Sequence, residues 1–177
     1  MNMDDDKVNV NFPGLIAGLG LFIVILIYAL PALSSRNPLW FLANVETDPS
    51  QIVTYDNGTR TVYLRTSPGY QTLAPLCVKA LKEVSGLDDS GLSDATFNDI
   101  RDHGKAVEIF FPQPITIPTT FPVGKPNQIF IPLDDKYADW SLFYTGNDGH
   151  YWAQGLRIHS TYGQIKAAFD SLTPGGK

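Results

Sequence analysis

The chain has 177 residues, a formal net charge of −5, 18% charged residues and 12% aromatic residues. Low charge with many aromatics argues against a disordered chain, and the lack of any Lys/Arg cluster argues against nucleic acid as a partner. The single cysteine, Cys77, excludes an internal disulfide and a cysteine-based zinc site, and it reads as a small buried hydrophobe with no disulfide-linked partner.

Residues 1–12 form an acidic tail with Asp4, Asp5 and Asp6. No charged residue lies between Lys7 and Arg36. Within that window residues 13–33 predict one transmembrane helix, because about 20 residues at ~1.5 Å each span the ~30 Å of a bilayer core. Asn11 is the expected N-cap, Pro13 suits the first turn, and Pro31 is expected to stop or kink the helix. A cleaved signal peptide has a basic start and a shorter apolar run; here the start is acidic and the run is long. A soluble core helix is rarely apolar on every side for this length. The expectation is an uncleaved anchor in the lipid bilayer.

Gly14, Ala17 and Gly18 follow the small-residue spacing that lets a second transmembrane helix approach, so they are the expected helix-docking face. Tyr28 is the only ionisable group in the span, which leaves it without a proton or ion relay. Lys7 and Arg36 nearly balance across the span. A default signal-anchor, together with a domain rich in Thr, Tyr, Pro, Asn and Gly, points to an extracytoplasmic location, periplasmic or extracellular.

Residues 34–50 form a juxtamembrane linker. Its Trp40 and Phe41 are too apolar for a free linker and are expected on the membrane surface or under the domain.

Residues 51–172 form the folded domain. Strands at Gln51–Tyr55 and Thr61–Thr66 flank Asn57-Gly58, the strongest short hairpin signal. A glycosylation acceptor also starts at Asn57, but the turn explains it. Leu73, Leu76, Cys77, Ala80, Leu81 and Val84 repeat at helical spacing and predict a helix over Thr72–Val84, stopped by Gly86. A second helix is expected from Ser93 to His103, capped by Ser93, with Phe97 and Ile100 inward and Gly104 at its end. Lys105–Phe111 is the clearest strand. Residues 112–126 carry five prolines that forbid a helix or a central strand, so Ile115, Ile117 and Phe121 are expected along an edge or against a partner. Strands at Gln128–Leu133, Trp140–Thr145 and Tyr151–Ile158 follow, the last two joined by a hairpin at Asn147-Asp148-Gly149. Tyr151 and Trp152 near that tip read either as ordinary cross-strand packing or as part of the candidate partner surface. A helix over Thr161–Leu172 closes the domain, with Thr161 and Gln164 as a capping box. Residues 173–177 form a tail.

This order predicts an α+β fold: a mostly antiparallel sheet packed by two to three helices, behind a single transmembrane helix. Helices confined to one face would leave the other face wet or docked.

A search for chemistry finds little. His103, His150 and His159 show no zinc spacing. The pairs Asp88-Asp89 and Asp134-Asp135 lack calcium-loop spacing and read as solvated loops. Gly124-Lys125 lacks the rest of a phosphate loop, and no nucleophile elbow is present. No catalytic residue, metal or cofactor is expected. The leading expectation is therefore a non-catalytic accessory subunit docked to other transmembrane subunits of a larger complex. By analogy alone that complex is a respiratory or photosynthetic electron-transfer assembly. The alternatives are an anchored ligand- or peptide-binding sensory domain and an anchored enzyme of unfamiliar type.

Overall fold

A computed structural model describes residues 12–34, 48–134, 136 and 140–173. Asn11, most of the linker with Trp40 and Phe41, Asp135, and the tail from residue 174 lie outside these residues. The chain divides into two units: one takes in helix α1 and Thr120–Pro122, the other, among the described residues, seven strands and three longer helices.

Helix α1 is Phe12–Ser34, with Pro13 in its first turn. It runs three residues past Pro31, so that proline does not end it. So close to the C-terminus, the missing N–H costs one bond with little helix left to disrupt. The window Phe12–Leu30 has a mean hydropathy of 2.4 and none of it is buried. By length and composition α1 is able to cross a membrane.

The second unit is built on one antiparallel sheet in the order β2-β1-β4-β5-β6-β7-β3. Its strands are β1 Gln51–Asp56, β2 Thr59–Leu64, β3 Gly86–Asp88, β4 Lys105–Phe110, β5 Gln128–Pro132, β6 Leu142–Asn147 and β7 His150–Arg157. Both hairpins form where the turn residues predict them. Asn57 (φ 48°) with Gly58 (φ 82°), and Asp148 (φ 51°) with Gly149 (φ 91°), supply the paired positive φ of a type I′ turn. Near the second turn the β6–β7 ladder shifts register between Tyr144 and Gly146. A Cβ on Gly146 would lie 2.1 Å from the His150 carbonyl oxygen, so only glycine fits there.

Helix α2 is Pro68–Lys82 and begins four residues before Thr72. Pro68 takes the first helical position, where a proline costs no hydrogen bond. Gly86 does not act as a helix stop; it opens β3, which pairs with Gly155–Arg157. Helix α3, Asp94–His103, is as expected: the Ser93 hydroxyl accepts from the Thr96 N–H at 3.2 Å, and Gly104 ends it.

Helix α4, Thr161–Leu172, matches its expected span but not its cap. Ser160 occupies the cap position in a helical conformation and makes no side-chain cap bond. The Thr161–Gln164 box is replaced by Glu83, just past α2, whose carboxylate accepts from the Thr161 N–H at 3.2 Å. Gln164 instead accepts from Lys79 of α2 at 3.3 Å.

Helices cover both faces of the sheet, so neither is left wholly wet or docked. Successive strand residues point to opposite faces. Ala106 joins Val53, Tyr55, Phe130, Leu142 and Tyr144 in a core cluster with Phe97 and Ile100 of α3. Lys105, of the opposite parity, lies 5.9 Å from the Phe169 ring centroid and 3.5 Å from Asp170, both on α4. Thus α3 packs on one face, and α4 with its neighbour α2 on the other. Full burial of Phe97, at 1% exposure, is worth roughly 1.5–3 kcal/mol.

The proline-rich segment joins β4 to β5 and enters neither edge ladder. Ile115, Ile117 and Thr119 are buried at alternate positions, and the Ile115 N–H donates to the Pro126 carbonyl at 2.8 Å. Ile115 and Ile117 are therefore core residues of this chain and not a partner surface. Prolines removed the ladder donors without removing the period-two burial of an extended chain.

Candidate functional site

The domain's one buried carboxylate with several charged or hydroxylic neighbours, among the described residues, is Glu108. It sits in β4, one of the inner strands, at 4% exposure. The pleat that turns Ala106 toward α3 turns Glu108 the same way. Its Oε2 accepts from the Tyr55 hydroxyl at 2.7 Å. Its Oε1 accepts from the Tyr151 hydroxyl at 2.5 Å and from the Arg101 guanidinium at 2.9 Å. Arg101 stands one helical turn beyond Phe97 on α3, and Asn98 accepts from its other arm at 2.8 Å. The guanidinium carbon lies 5.4 Å from the Phe130 ring centroid, 5.8 Å from Tyr151 and 5.9 Å from Tyr55. This is a cation held between aromatic faces as well as by a carboxylate.

The electrostatics follow from that enclosure. Burial, reinforced by the Glu108 charge, pushes the Tyr151 hydroxyl far above the usual tyrosine value. Tyr55 is raised for the same reasons, burial first. Burial weighs against the Arg101 charge, yet the facing carboxylate outweighs it and holds the guanidinium above its ordinary value.

An open groove of about 340 Å³ borders Glu108, Phe110, Asn127 and Gln128. The carboxylate itself is already bonded to three donors, so a ligand reaching it must displace one of them. A second hollow, of about 390 Å³, is lined by Asp48, Arg65, Tyr70 and Gln71. There Arg65 donates to the Pro49 carbonyl at 3.2 Å and Tyr70 donates to the same oxygen at 2.6 Å. Among the described residues no three His, Cys, Asp or Glu side chains are placed to hold a metal ion.

The expected surfaces fare unevenly. Gly14, Ala17 and Gly18 fall on one side of α1, as helical spacing requires, and a Cβ on Gly18 would meet nothing within 4 Å. Trp40 and Phe41 lie outside the described residues. Phe121 is half-buried and belongs to the same unit as α1. Tyr151 is spent inside the domain: besides its bond to Glu108, its ring packs 4.7 Å from Phe97 and 5.5 Å from Phe130. Trp152 is half-buried against Gly124, where an added Cβ would come within 2.7 Å of the indole. Of the expected partner-surface residues, Ile115 and Ile117 are buried within the domain and Tyr151 packs against its core.

Glu108, Arg101 and Tyr55 were not singled out from sequence. The available signal was a lone Glu between Val107 and Ile109 in a strand apolar on both faces; such a charge needs a partner. Compared with protein-family models, curated proteins and solved structures, the chain matches none.

Proposed function

We propose that the chain is a non-catalytic, single-pass accessory subunit of a larger membrane complex. Helix α1 is its anchor, and Gly14, Ala17 and Gly18 form the face on which another transmembrane helix docks. The α+β domain lies on the extracytoplasmic side, and a respiratory or photosynthetic electron-transfer assembly is the class of complex to test first. The observation that carries this reading is the uncharged 19-residue window of α1, none of it buried. Apolar surface of that extent requires lipid or a partner to cover it. The saturated Glu108 cluster supports a structural role for the domain's main polar network.

The test is co-purification of the full chain from native membranes in mild detergent. A stoichiometric set of membrane subunits is expected. Gly18→Leu, which has room inside the chain, is expected to remain in the membrane and lose those subunits. A lone folded chain overturns the proposal. The hollow beside Asp48 and Arg65 favours a second reading, an anchored ligand-binding domain. That reading predicts a lone chain whose melting temperature rises with cell-envelope peptides or glycans.

A further inference from the structure

Strand β2 is an edge strand, and its outer edge has a definable hydrogen-bonding pattern. The Asn57 N–H donates to the Gly104 carbonyl at 2.8 Å, in register with the β1–β4 ladder. Odd-numbered residues of β1 therefore bond to β4 and even-numbered ones to β2. By the same alternation Thr59, Thr61 and Tyr63 turn their backbone groups toward β1, while Arg60, Val62 and Leu64 turn theirs outward. The Leu64 carbonyl accepts from Ser67, from its N–H at 2.8 Å and its hydroxyl at 2.7 Å. The other outward groups face away from the sheet.

Among the described residues, Arg60 is the one charged side chain on this edge. The edge has no proline, no lysine and no register shift against β1, and it shows two exposed apolar side chains, Val62 at 38% and Leu64 at 57%. The opposite edge, β3, is only three residues long.

We propose that β2 pairs antiparallel with β2 of a second copy of this chain, about a twofold axis through Val62, to make one continuous sheet. Three outward residues centred on a valine are self-complementary under that axis. Val62 faces Val62 of the second copy, and Arg60 faces Leu64. Thr61 faces Tyr63 on the opposite side of the sheet. About four backbone hydrogen bonds form: two between the valines, and one from each Leu64 N–H to the Arg60 carbonyl across the axis. The only charged side chain of the strand is Arg60. The two arginines sit about four residues apart along the strands, roughly 14 Å, beyond the ~8 Å screening length at physiological salt. The pairing uses nothing from α1 and stands whether or not the chain is an accessory subunit.

Cysteine cross-linking of the full chain in detergent tests the register. Paired Val62 Cα atoms would lie about 5.5 Å apart, within the span of a disulfide or a short bis-maleimide. Cys77, at 0% exposure, is silent in this assay. Val62→Cys is expected to give a covalent dimer and Arg60→Cys none, whereas a mixture of Arg60→Cys and Leu64→Cys gives the mixed dimer. Val62→Lys sets two like charges across the axis and is expected to shift the mass in solution from dimer to monomer with an unchanged circular-dichroism spectrum. A dimer held by α1 alone would cross-link Val62→Cys no faster than Arg60→Cys. That result overturns the proposal, as does capture of a different protein by Val62→Cys.

Discussion

The Glu83 carboxylate caps a helix to which it does not belong: Oε2 accepts from the Thr161 hydroxyl at 2.5 Å as well as from the Thr161 N–H. It closes the end of α2 onto the start of α4 and supplies negative charge where the dipole of α4 favours it. The hydrogen bond from Thr161 is the chief reason the Glu83 carboxyl lies below its ordinary value. Glu83→Ala is expected to cost about 1–2 kcal/mol in urea unfolding, with Glu83→Gln milder because an acceptor remains. A folded pKa below the unfolded one stabilises above the unfolded value, near pH 4.3, and the contribution fades as pH falls through the folded value. Glu83→Gln is therefore expected to flatten the acid limb of the stability profile. An unchanged limb contradicts this assignment.

The Arg101–Glu108 pair predicts a non-additive result. Arg101→Leu strands a buried carboxylate and is expected to cost about 3–5 kcal/mol. Glu108→Leu strands the guanidinium, and the double variant is expected to be more stable than either single one. Urea midpoints of the four proteins measure it; simple additivity would mean that the two groups do not act as a pair.

Tyr151 and Tyr55 supply the alkaline counterpart. Their folded pKa values are raised. Their contribution is whole below the unfolded value, near pH 10, and declines above it. Absorbance titration at 295 nm is expected to show buried tyrosines, Tyr151 and Tyr55 among them, that ionise only as the protein unfolds. Tyr151→Phe is expected to remove one of them and cost about 1–2 kcal/mol.

Burial pushes the Cys77 thiol up to about 12. The native chain is expected to resist thiol reagents at pH 8 and to react at once in denaturant. Rapid native labelling would place Cys77 outside the core.

Local chemistry explains which elements could be read from the sequence. Asn57-Gly58 and Asp148-Gly149 carry their turn type in two residues, and the Ser93 cap lies within three residues of its partner Thr96. The early start of α2 was missed because Pro68-Gly69 resembles a loop, although proline is favoured at a first helical position. Gly86 reads equally well as a helix stop or as a strand residue, and only pairing with Arg157 decides. Glu83 and Thr161 are 78 residues apart, and Tyr55 and Glu108 are 53 apart, so no local pattern links either pair. Prolines exclude a ladder and so point Ile115 and Ile117 to an edge or a partner for cover, yet period-two burial inside the chain needs no ladder.

Retention of α1 separates a permanent membrane anchor from a removed signal sequence. Membranes from cells expressing the full chain, tagged at its C-terminus, are washed with alkaline carbonate, and the retained protein is sized by intact-mass spectrometry. The chain is expected to stay in the membrane pellet with residues 13–33 attached. A soluble chain whose mass lacks residues 13–33 would make the helix a removed signal sequence and overturn the anchor.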